Sequence, residues 1–238
     1  MLLDASVLIP FSAIAAIIGV GIWLAYLSHK KEKERVRAVL NWAEAQGFRV
    51  RKGDDRASNQ RFMYFDLMRA GSNQYFTMQV SGDYEGLPFL LFDYHYETYS
   101  TDKNGNRRTH HHYFTACIIE TGLNFPAELR LRPEGFFDKF AAVVGFDDID
   151  FESHEFSKRF HVKSKDRKFA YDLIHQGTME YLLKHLKTHF EIERNAIMVH
   201  FGQKRLAAPE YAELLRHTRH LLELTPDYFI EQAKMSRG

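Results

Sequence analysis

One stretch near the amino terminus limits every other choice this chain has. From Ala5 to Ser28 no side chain carries a charge, and Val7 to Leu27 is apolar apart from Ser12, one proline and two glycines. A helix of that length covers roughly 30 Å, the thickness of a hydrocarbon core. Lipid offers no partner to backbone N–H and C=O groups, so a spanning segment there must be helical. Pro10 falls in the first turns, where its missing N–H costs little. Trp23 and Tyr26 fall near the far end, where amphipathic rings favour the headgroup layer. A cleaved signal peptide fits less well. Met1 to Ser6 holds Asp4 and no basic residue, and Ala25-Tyr26-Leu27 is too bulky for a cleavage site.

Charge asymmetry sets the expected orientation. Lys30, Lys31, Lys33, Arg35 and Arg37 follow the span directly, and no Lys or Arg precedes it. The positive flank stays cytoplasmic. The expectation is a single-pass protein of the inner (plasma) membrane, amino terminus outside and soluble part in the cytoplasm. The five basic residues are expected to meet anionic headgroups, at roughly 1 kcal/mol each. Small residues at four-residue spacing (Ser12/Ala16, Ala15/Gly19, Gly21/Ala25) can mark a self-association face, but no single face collects all the pairs, which favours the reading that small residues are simply common in membrane helices.

Beyond the span, apolar spacing at Val36, Val39, Leu40 and Ala43 predicts a helix over Lys30 to Gln46, stopped by Gly47 and continuous with the membrane helix. Arg51 to Gln60 reads as a polar loop. Strands are expected at 61–68, 74–80, 87–100, 109–120 and 127–131. Helical spacing follows at 134–144, then an extended stretch at 150–163 and a helix at 168–187 that Gly177 interrupts. A strand at 190–201 and an amphipathic helix at 209–224 complete the pattern. Strands come first and helices cluster later, so the expected class is α+β with a mainly antiparallel sheet. The organisation reads as an anchor over 1–28, a basic juxtamembrane helix over 29–47 and one soluble domain over 48–238.

Composition removes several functions. Lys+Arg 32 against Asp+Glu 31 gives a net charge of +1, which supplies no general attraction for nucleic acid. There is no phosphate-binding glycine loop, no G-x-S-x-G elbow and no H-E-x-x-H pair. The single cysteine, Cys117, sits in an apolar strand and reads as a buried, inert thiol. Asp147, Asp148 and Asp150 cluster without an EF-hand spacing and read as a solvated turn.

The richest chemistry lies on the hairpin around Asn104-Gly105. As a two-residue turn, that dipeptide pairs His95 with Phe114, Glu97 with His112 and Tyr99 with His110. Asp93, His95 and Glu97 then share a face with His110 and His112. His95, Glu97, His110 and His112 form a candidate site for zinc. The competing reading is the wet face of a half-buried hairpin, with Glu97 and His112 an ordinary cross-strand pair. A slip of one residue would change the pairings. Lys103, Arg107 and Arg108 make the hairpin tip basic, which suits phosphates, headgroups, an acidic partner or simply water.

The order of short motifs resembles that of a bacterial family of uncharacterised membrane-anchored proteins. They are Gly82-Asp83-Tyr84-x-Gly86, Leu91-Phe92-Asp93-Tyr94-x-Tyr96, Arg107-Arg108-Thr109-His110, Leu131-Arg132-Pro133-Glu134 and Phe156-x-Lys158-Arg159-Phe160-x-Val162. The resemblance covers about residues 60–186 and extends more loosely to the carboxy-terminal helix. It implies one or two hydrophobic segments followed by this soluble domain, and no established activity, cofactor or catalytic residue. His95, His111 and His112 are not part of its pattern. The leading expectation is therefore a membrane-anchored, non-catalytic module for a protein or lipid partner. The alternatives are a metal-dependent enzyme at the hairpin face and a structural subunit of a membrane complex.

Overall fold

The computed structural model describes residues 11–135 and 148–229. The helix expected over 134–144 and the tail beyond residue 229 lie outside them, apart from Glu134 and Gly135. Helix α1, Phe11–Ala45, is uninterrupted through 35 residues. It carries a segment long and apolar enough to cross a membrane, of mean hydropathy 1.5, with none of it buried against the rest of the chain. Ile17, Ile22 and Trp23 are 69%, 67% and 59% exposed, whereas Val39 and Ala43, further along the same helix, are fully buried. Among the described residues, its first half packs on nothing of its own chain, whereas its second half is part of the core.

The chain then builds β1 (Arg49–Asp55), short helices α2 (Ala57–Arg61) and α3 (Asp66–Arg69), and the long strands β2 (Ser72–Tyr84), β3 (Leu87–Thr101) and β4 (Arg107–Glu120). It continues with β5 (Leu129–Pro133), α4 (His154–Arg159), β6 (Phe160–Ser164), α5 (Arg167–Leu173) and α6 (Gln176–Lys184). The hairpin β7 (His189–Glu193) and β8 (Ala196–His200) precedes α7 (Ala208–Glu223). Among the described residues, eight strands join one sheet in the order β1-β2-β3-β4-β8-β7-β5-β6. Each pairing is antiparallel. The class is α+β with one candidate membrane span.

Both faces of the sheet are covered, so β3 reads as a nearly continuous apolar run rather than an alternation. One face carries Val80, Leu91, Cys117 and Val199 against Val39 and Ala43 of α1 and Tyr211, Leu214 and Leu215 of α7. The other carries Phe76, Phe92, Tyr94 and Phe114 against Phe62, Phe65 and Met68. That second layer corrects two expectations. Residues 61–68 are not a strand: Phe62, Phe65 and Met68 recur every third residue and present one face of short helical turns to the sheet. Arg49–Asp55, within the stretch read as a loop from Arg51, is the edge strand β1, and its charged, exposed residues blunt a sheet edge.

Three other boundaries move. Residues 154–159 of the stretch expected to be extended form α4, capped by the Ser153 hydroxyl accepting from Phe156 N. The helix expected over 168–187 breaks into α5 and α6 just before Gly177, where His175 caps α6 by accepting from Gly177 N. Residues 190–201 fold back on themselves at Arg194-Asn195, with Arg194 at φ 57°.

Gly82 in the first motif has a steric role. A Cβ there would lie 2.8 Å from the Phe48 ring, which packs edge-on to Phe89 where α1 meets the sheet. The same motif closes the β2–β3 turn, with Glu85 and Gly86 both at positive φ and Gly86 N donating to the Asp83 carboxylate at 2.8 Å.

Candidate functional site

The junction between α1 and the sheet is polar and buried. Arg35 comes two turns after the apolar segment of α1. Its Nη2 donates to Asp93 Oδ2 at 2.5 Å and to Glu32 Oε1 at 2.8 Å. Its Nη1 donates to the Leu206 carbonyl at 2.8 Å, and its Nε to Glu32 Oε2 at 3.0 Å. Asp93 is 1% exposed. Its other oxygen accepts from Thr115 Oγ1 and from the Tyr211 hydroxyl, each at 2.6 Å. Thr115 in turn accepts from Leu206 N at 2.9 Å. Burial opposes the Arg35 charge, but Glu32 and Asp93 outweigh it and hold the guanidinium still more firmly protonated. Burial, with Asp93 beside it, pushes the Tyr211 phenol well up, so it stays a donor. One guanidinium thus ties α1 to β3 and to the loop before α7, and a hydroxyl of α7 closes the network.

This corrects the assignment of Arg35 to the membrane surface. Lys30, Lys31, Lys33 and Arg37 are exposed, but the Arg35 side chain is only 13% exposed and its donors are spent inside the protein. The helical period is the reason: Arg35 shares a face with Val39, so it points at the sheet.

The hairpin register differs from the expected one by a residue. His95 pairs with Tyr113, Glu97 with His111, Thr98 with His110 and Thr101 with Arg107. The turn is the cause. Asp102 O accepts from Gly105 N and Asp102 N donates to Asn106 O, both at 3.0 Å. The Asp102 carboxylate also accepts from the N–H groups of Asn104 and Asn106, each at 2.9 Å. Only Gly105, at φ 82°, is left-handed in this loop, so the loop has three residues, Lys103 to Gly105, instead of two.

A one-residue slip moves every β4 side chain to the opposite face. The structure therefore brings His95 and Glu97 together with His111, and separates them from His110 and His112. His112 stacks on Tyr96 at 4.6 Å between ring centroids and meets Thr98 and Gln203 at 2.9 and 3.1 Å. His110 lies 2.8 Å from Ser100 Oγ.

Around His95 the contacts are specific. Its Nδ1 lies 3.1 Å from the carbonyl oxygen of Asn73, and its Nε2 lies 3.0 Å from His111 Nδ1. Glu97 Oε1 is 3.5 Å from the same His111 nitrogen. The Asn73 amide donates to Glu97 Oε1 at 2.6 Å, and the Tyr99 hydroxyl donates to Oε2 at 3.0 Å. Burial holds His95 below the usual imidazole range. The Asn73 hydrogen bond holds Glu97 below the usual carboxylate range.

Other reactive groups are accounted for. Cys117 is fully buried, and burial pushes its thiol up to about 12, which leaves it inert. Asp148 pairs with His161 at 2.8 Å and Lys163 at 3.7 Å, while Asp147 lies outside the described residues. An open groove of 480 Å³ at α6 and α7 is lined by Tyr181, His185, Glu213, His217 and His220, among others. His217 is fixed there between the Tyr181 hydroxyl at 2.6 Å and Thr188 Oγ1 at 2.9 Å. At the hairpin tip, Arg107 lies over the Tyr99 ring at 3.6 Å.

No known protein family matches the sequence, and no curated protein does. Among solved structures, the fold is similar to the crystal structure of the mycobacterial trehalose monomycolate transport factor A, TtfA. The TM-score is 0.59 at 14% identity, over 80% of this chain and 95% of that one. The likeness is one of fold.

Proposed function

We propose that this chain is a membrane-tethered interaction module: a cytoplasmic, non-catalytic domain held at the inner (plasma) membrane for a protein or lipid partner. One observation carries the reading. The apolar segment and the core-packed segment are a single helix, and the first basic side chain to reach the sheet, Arg35, is locked to Asp93 at 2.5 Å. A domain joined in that way is held close to the bilayer, not loosely leashed to it. The basic flank of Lys30, Lys31, Lys33 and Arg37 favours the cytoplasmic side and contact with anionic headgroups. The similarity in fold to a protein named as a transport factor supports binding over turnover.

The experiment is mild cross-linking in intact membranes followed by purification of the full chain. The reading expects the chain to stay with the membrane through an alkaline wash and to carry one partner or lipid class in reproducible proportion. A mature chain that begins after Leu27, or one recovered in the aqueous fraction without detergent, overturns it.

A further inference from the structure

We infer that His95, Glu97 and His111 form a binding site for one divalent transition-metal ion, zinc above all, on the outer part of the β2–β3–β4 arm. One ligand atom from each of His95, Glu97 and His111 lies within 4.8 Å of the other two. In a tetrahedral zinc site, ligands about 2.0–2.2 Å from the metal stand ~3.3 Å apart. Two of the separations bracket that spacing: 3.0 Å between the two imidazole nitrogens and 3.5 Å from imidazole to carboxylate. Two histidines and one carboxylate are a zinc donor set, with a fourth position left for water or a partner's side chain.

The surroundings orient these ligands as a second shell does. Asn73 sits in an irregular stretch of β2, between Ser72 and Tyr75, at φ 51°, a conformation that costs an asparagine less than most residues. From there its carbonyl oxygen faces His95 Nδ1 and its side-chain amide holds Glu97. A ring nitrogen against a carbonyl must carry the proton, so His95 Nε2 keeps its lone pair and presents it to the site. His111 Nδ1 lies between His95 Nε2 and Glu97 Oε1, and as a ligand it would carry its ring proton on Nε2. The His111 side chain is 53% exposed, so the fourth position opens toward solvent. A bound ion would fasten β3 to β4 beyond the level of Asp93, in addition to strand pairing, polar contacts and ring packing such as Tyr94 on Phe114. The inference is independent of the anchoring reading, since neither the ligands nor their supports belong to α1.

The test uses tag-free full-length protein in detergent, titrated with ZnCl2 by calorimetry and with Co2+ by visible absorption. Wild type is expected to take up one equivalent of Zn2+ and to give the intense visible bands of a low-coordinate Co2+ site. His111→Ala and Glu97→Gln are expected to weaken binding by about tenfold or more. His110→Ala, on the opposite face, is expected to leave it unchanged. Thermal unfolding of each variant confirms that it is folded, and His111 is exposed enough for its removal to be tolerated. Absence of saturable binding by wild type, or equal binding by folded His111→Ala, overturns the inference and leaves a hydrogen-bonded triad.

Discussion

Arg35 and Asp93 lie 58 positions apart in the chain and 2.5 Å apart in space. Their ion pair is the polar joint through which a helix with a membrane-length apolar segment grips β3, an interior strand of the sheet.

Breaking that pair from one side leaves the other charge buried. Asp93→Asn or Arg35→Met is expected to lower stability by roughly 3–5 kcal/mol. The double variant Arg35→Met/Asp93→Asn is expected to recover part of the loss, because no ion is then stranded and the amide oxygen can still accept from Thr115 and Tyr211. Thermal unfolding of the detergent-solubilised chain measures all three.

Acid is expected to loosen the domain through its buried imidazoles. Burial pushes His189 down to about 2, His200 down to about 4 and His217 down to about 3. All three are neutral in the folded state, whereas the unfolded chain titrates near 6.5, so the unfolded state binds more protons and stability is lost as pH falls. From about pH 7.5 to about pH 5.5 the three together remove about 4 kcal/mol. Glu191 works in the opposite sense. Burial, with Asp66 beside it, pushes it up to about 7, and its protonation in the folded state offsets about 2 kcal/mol over the same range. Denaturant unfolding at the two pH values is expected to show a net loss, made larger in Glu191→Gln, which lacks the offset.

Two glycines on the β2–β3–β4 arm are expected to resist substitution for different reasons. Gly71 stands at φ 62°, and a Cβ there would lie 2.1 Å from the Glu97 carbonyl oxygen, so Gly71→Ala forces the edge of β2 away from β3. Gly105 stands at φ 82° with open space around it, so Gly105→Ala meets only the left-handed backbone cost of about 1 kcal/mol. Asn104→Ala, outside the left-handed region, is expected to be close to neutral. Amide hydrogen exchange along 95–113 reads these effects as graded loss of protection.

The sequence made the major strands and α7 legible because long apolar periods decide them. It misplaced the hairpin register because Asn104-Gly105 was read by itself. The fuller pattern Asp102-Lys103-Asn104-Gly105 has Asp at the first position and Gly at the fourth, the signature of a type I turn whose glycine is left-handed. That single residue decides whether His111 or His112 faces Glu97. The Arg35–Asp93 joint was visible only as an anomaly, one carboxylate in the otherwise apolar start of β3, and nothing local could name a partner so far along the chain. The short helices over 57–69 were missed for a related reason. Their aromatic residues have strand propensity, and only the bare second face of the sheet turns them into a covering layer.

Protease treatment of intact spheroplasts tests the central claim most directly. With the domain on the cytoplasmic side of an uncleaved α1, residues beyond Lys30 are predicted to survive until the membrane is permeabilised and then to be digested. Digestion of the domain from the outer side, with the bilayer intact, would contradict the account.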